Sequence, residues 1–204
     1  MIRSHGRLLV GPAAVAVLWV SIGTGMVRTG LVFSDPDPLS LLGTDVRSRT
    51  LFRAGLLLAA VLLGAFAGFV HQRRSTPRCF LLVFLIGLGG QVVAAIVPLS
   101  GRGASPAVHT TGGLVLGISL PILMGCFAAG QPAGSWRRLS WALFWLEAAA
   151  CVVGVVLSQS MRAPIAEALP AGAFHLWILA VAVHAWRSDA RVGWGHPDHR
   201  ADCE

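Results

Sequence analysis

Long apolar stretches, separated by short polar interruptions, organise this chain. Six of them run over Leu8–Val27, Ala54–His71, Cys79–Pro98, Ala107–Ala129, Leu139–Ser158 and Leu169–Trp186. Each holds roughly the 20 residues that a helix, rising about 1.5 Å per residue, needs to cross a hydrocarbon core about 30 Å thick. Lipid offers the backbone no hydrogen-bond partner, so runs of this length must satisfy their N–H and C=O groups internally by coiling. The pattern predicts an all-α fold: a six-transmembrane-helix bundle forming one domain over residues 1–186. Residues 187–204 are polar, contain Gly and Pro, and read as a disordered cytoplasmic tail.

The interruptions set the topology. The first loop, about Arg28 to Arg53, is the longest and carries Asp35-Pro36-Asp37-Pro38, which favours turns or a short segment lying on the membrane surface. Placing the N-terminus inside puts Arg73, Arg74 and Arg78 in one short cytoplasmic loop, against Arg102 alone in the corresponding outer loop. The positive-inside rule then predicts N- and C-termini both in the cytoplasm and a plasma-membrane location. The first stretch follows Arg3 and Arg7, as a signal peptide would, but it is too long and Thr24-Gly25-Met26-Val27 is a poor cleavage site. It is expected to be retained as a helix.

Composition agrees and narrows the function classes. Charged residues make up only 12% of the chain, about half the usual share in soluble domains. The net charge of +7 could point to nucleic acid, but all sixteen basic residues are arginines placed at segment ends rather than on one face. No nucleic-acid partner is expected, because such binding needs a concentrated basic footprint. The absence of Lys and Asn beside abundant Ala, Gly and Val resembles coding from GC-rich bacterial DNA. The four cysteines form no Cys-x-x-Cys pair and none falls in an outer loop, so neither a disulfide framework nor a zinc motif is read from them.

Two spacings of small residues offer helix-packing faces. Gly64-x-x-x-Gly68 lies in the second span and Gly113-x-x-x-Gly117 in the fourth, with Pro121 and Gly125 continuing the step of four. Small residues so spaced share a face and let backbones approach, within the bundle or between copies. The partners expected are membrane lipids, and a second copy or another membrane protein through the Gly113/Gly117 face.

Polar groups inside apolar spans are the best pointers to function, since each is costly in lipid unless it finds a partner or faces a cavity. Glu147 lies near the expected midplane of the fifth span, where it could bind a proton or a cation, or hydrogen-bond a neighbouring helix. Gln91, beside Gly87, Gly89 and Gly90, is expected to make an interhelical hydrogen bond, and its estimated depth permits contact with Glu147. His109 and His175 both read as lying near the outer surface, His71 and His184 near the inner one. Two such pairs could ligate two b-type haems. However, His175 and His184 are nine residues apart, which turns them to opposite helix faces and leaves little room for two macrocycles. A second possibility joins His109, His175 and Asp45 of the first loop around a metal, as in a metal-dependent lipid-modifying enzyme at the outer membrane face. His196, Asp198, His199 and Cys203 could grip a metal only weakly. No nucleophile elbow or phosphate-binding loop is present.

Several short patterns occur in order: Asp37-Pro38-Leu39-Ser40-Leu41-Leu42-Gly43 before the second span, Ala94-Ala95-Ile96-Val97-Pro98 ending the third, then His109, then Gly172 before Leu176-Trp177 in the last. With six spans, the chain resembles the bacterial domain of unknown function 998 family of multi-pass membrane proteins. The family often carries a charged residue after that glycine, where this chain has Phe174-His175. The resemblance implies fold and membrane location and brings no activity with it. The expected function is therefore non-enzymatic: small-molecule or lipid binding, transport, or assembly of a membrane complex. Glu147, Gln91, His109, His175 and Asp45 are the candidate ligand-binding residues. No cofactor is expected.

Overall fold

The structure, a computed structural model, describes residues 8–74, 76–99, 103–159 and 163–193. Six long helices account for most of it: α1 (Val10–Thr29), α2 (Arg49–Arg74), α3 (Arg78–Ile96), α4 (Ser105–Ala129), α5 (Ser135–Gln159) and α6 (Ala163–Gly193). A 3-10 turn, Leu39–Gly43, lies in the loop between α1 and α2. All six helices are long and apolar enough to cross a membrane, as the hydrophobic pattern requires. The surface agrees: Val20, Val61, Leu82, Leu114, Ile118 and Val155 all stand more than half exposed along the helix flanks. A water-soluble domain seldom shows apolar surface so widely. The chain is a multi-pass membrane protein.

Consecutive helices pack side by side, and α1 meets α6 to close the bundle. An aromatic cluster fills its interior. Phe80 and Phe84 of α3, Phe127 of α4 and Phe174 and Trp177 of α6 lie with ring centroids 5.2–6.3 Å apart. Those separations suit edge-to-face and offset contacts. Toward the end of the bundle opposite the α1–α2 loop, Trp136 of α5 stacks flat on His184 of α6 at 3.9 Å.

Helix ends follow local chemistry. Pro106 stands in the first turn of α4, where its missing N–H costs nothing. Gly30 closes α1 at φ 79°, a left-handed conformation glycine adopts without strain, and its N–H bonds the Met26 carbonyl. The last helix departs from expectation at both ends. It begins at Ala163 rather than Leu169 and runs past Trp186 to Gly193, passing through Pro170. The segment from 187 to 193 is thus helical rather than disordered, and residues 194–204 lie outside the described residues.

The close approach of α3 and α4 does not run through Gly113 and Gly117. Gly113 and Gly117 have open space where a side chain would stand, so neither uses its missing side chain to bring another helix of this bundle close. Gly112, one residue earlier, is the contact: a Cβ there would lie 2.9 Å from the Gly90 carbonyl oxygen of α3. On α2, Gly64 meets only Leu88 at 3.4 Å and Gly68 meets nothing within 4 Å. The removal of side chains at Gly89, Gly90 and Gly112 leaves an apolar groove of about 490 Å³ between α3 and α4.

Candidate functional site: a carboxyl group inside the bundle

Glu147 is the central residue of α5, with no exposed surface. Twelve residues separate it from either helix end, about 18 Å along the axis. Its Oε1 lies 3.4 Å from the Cys151 thiol one turn on, and its Oε2 has no hydrogen-bond partner. Buried polar atoms are almost always paired, and among the described residues this oxygen and the Trp177 indole nitrogen are the buried side-chain exceptions.

Two prolines shape the surroundings of this face. Proline has no N–H to return to the carbonyl four residues earlier, so Pro121 frees the Gly117 carbonyl of α4 and Pro170 frees the Ala166 carbonyl of α6. Both belong to the helices that flank α5, and both carbonyls meet it. The Cys151 Sγ lies 3.9 Å from the Gly117 oxygen, and a Cβ on Gly154 would lie 2.7 Å from the Ala166 oxygen. Cys151 therefore presents one S–H to two acceptors, the Gly117 carbonyl and the Glu147 carboxyl.

The other residues singled out from the sequence are spoken for separately. Gln91 makes the interhelical bond expected of it, its Nε2 donating to the Leu56 carbonyl of α2 at 2.9 Å rather than to Glu147. His109 lies in the second turn of α4, with Nδ1 2.7 Å from the Val97 carbonyl. His175 is not near the surface. Because α6 starts earlier than expected, His175 sits about 18 Å along it, close to mid-span and well below His109. Its Nδ1 accepts the Trp19 indole N–H at 3.1 Å. In a neutral imidazole the Nε2 must then carry the proton, which leaves no lone pair for a metal.

Asp45 stays in the α1–α2 loop, paired with Arg47 at 3.1 Å. Hydrogen bonds from Arg47 hold its carboxyl below the ordinary value of 3.8. Among the described residues no group of three His, Cys, Asp or Glu side chains converges to hold a metal. Among the described residues the Asp45–His109–His175 centre is thus not assembled, and His109 and His175 lie at different depths.

Glu167 is the residue the sequence reading passed over. In the second turn of α6 it accepts hydrogen bonds from the Ser40 N–H at 3.0 Å and the Ser40 hydroxyl at 3.1 Å, which tethers the 3-10 turn to the bundle. Ser48 donates to the Leu42 carbonyl and Arg53 to the Gly43 carbonyl, fixing the other side of the same turn. The signal was present in Ala163-Pro164, a proline suited to a helix's first turn, with an acidic residue shortly after it. Glu167→Ala is expected to free the turn and speed trypsin cleavage at Arg47 and Arg49 several-fold, with the melting temperature unchanged. Equal cleavage rates in variant and wild type would show that the tether is idle.

No curated protein and no solved structure matches this chain. A family match does exist, and it reaches all six helices, from residue 9, just before the first, to residue 184 in the last: the chain belongs to the family described as "Protein of unknown function (DUF998)".

Proposed function

We propose that this is a non-enzymatic plasma-membrane protein, with both termini cytoplasmic, that binds a small ligand inside its helix bundle and uses Glu147 to do so. One observation carries the reading: a wholly buried carboxyl at the centre of a membrane-crossing helix keeps an oxygen without a protein partner. A carboxyl kept only to join helices would be expected to spend both oxygens on its neighbours. Leaving one unmade is costly, about 1–3 kcal/mol, and residues that oppose stability are typically retained for function.

The test compares Glu147→Met with wild type by thermal unfolding in detergent. Methionine fills similar space without a polar atom. The reading expects the melting temperature to rise, matching a gain of about 1–3 kcal/mol. A fall would assign Glu147 to holding the bundle together, and the proposal would be withdrawn.

A further inference from the structure

We propose that the ligand at Glu147 is the proton, exchanged with water. The inference rests on the preceding reading and names the chemistry of the same site. Donor count decides against a metal ion. Hard cations take about six or more oxygens, whereas the site offers the unpaired Glu147 oxygen and the Gly117 carbonyl, with a thiol between them. A proton needs only one atom to hold it and one acceptor. The step is COO⁻ + H₃O⁺ ⇌ COOH + H₂O at Oε2, with no other bond made or broken.

Side chains along α5 differ in size on the two sides of Glu147. From Glu147 toward the α1–α2 loop end, the same helix face carries Cys151, Gly154 and Ser158, all small, at helical spacing. The proline-freed carbonyls of Gly117 and Ala166 border this strip, the latter packed directly against Gly154. In the other direction the face is filled by Leu143 and Phe144, with Trp136 stacked on His184 beyond them. Ser140 there turns its hydroxyl to the Trp136 carbonyl.

The electrostatic surroundings are simple. On α5 the titratable neighbour acting on Glu147 is Cys151. From α4 the group that faces this cluster is the uncharged Gly117 carbonyl. On α6, His175 lies at similar depth but turns to Trp19 of α1. Protonation of Glu147 is thus set chiefly by its access to water.

The experiment uses the full-length protein in phospholipid nanodiscs. N,N′-dicyclohexylcarbodiimide enters from lipid and reacts with the protonated carboxyl, which adds across the carbodiimide to give an O-acylisourea that rearranges to a stable N-acylurea. Mass spectrometry reads the adduct, with Glu147→Gln as the blank. The proposal expects labelling at Glu147 that falls by about tenfold per pH unit above its midpoint and ignores added sodium chloride. Protection by sodium would overturn it in favour of a cation site. Labelling that does not change with pH would overturn it by showing an acid sealed from water, and so would absence of labelling in the folded protein. If Glu147→Met still stabilises in those cases, the ligand site stands and only the proton is rejected.

Discussion

Gly90→Leu is expected to destabilise the bundle by about 3 kcal/mol, at the upper end of what overpacking costs. A Cβ at Gly90 would lie 2.5 Å from the Gly112 carbonyl oxygen and 2.8 Å from the Leu116 nitrogen. Both are backbone atoms of α4, so no rotamer change relieves the clash and the helices must part. Lipid is as apolar as leucine and supplies no compensating push, so helix association there depends on close packing. Gly113→Leu is the control. One residue from Gly112, it has nothing within 4 Å of the new Cβ and should shift stability by less than about 0.5 kcal/mol. Reversible unfolding in mixed micelles measures both. Equal losses would mean that α3 and α4 do not meet through Gly90 and Gly112. A change in oligomer size with Gly113→Leu, at unchanged stability, would instead reveal an outward contact face at Gly113 and Gly117.

Trp177→Ala should cost about as much, roughly 3–4 kcal/mol, the range for truncating a large buried aromatic. Trp177 is fully buried and touches Phe80, Phe127 and Phe174, so its removal opens a cavity shared by three helices. Its indole N–H has no hydrogen-bond partner. Trp177→Phe forfeits no hydrogen bond, relieves an unmet donor and leaves a much smaller cavity, so its cost is expected to be well below that of the alanine variant. The same unfolding assay separates the pair. A phenylalanine variant as damaged as the alanine one would place the value of Trp177 in its N–H rather than in its volume.

These two results bear on why some contacts were legible in advance and others were not. A spacing of four marks a helix face without saying which way the face looks. Gly112 and Gly113 are neighbours in sequence, yet about 100° of helical rotation turns one into α3 and the other away from the bundle. His175 reads as too shallow when the last helix is started with the apolar run at Leu169, whereas the helix begins at Ala163 and passes through Pro170, as a helix in lipid can when neighbours supply other contacts. The consequence was an outer histidine pair that does not form. Gln91 was read correctly as an interhelical donor, because an amide in lipid must find an acceptor wherever it faces.

What the amino-acid order determined by itself is the number of helices, their residence in lipid and the depth of Glu147. Each follows from hydrophobic run length and a fixed rise per residue, which are properties of one segment and its solvent. What only the tertiary structure decided is which groups share a face. The meeting of the Pro121-freed Gly117 carbonyl with Cys151, and of the Pro170-freed Ala166 carbonyl with Gly154, depends on how α4 and α6 rotate about their own axes against α5. That rotation is set by side-chain packing summed over the bundle, and no single stretch of sequence contains it.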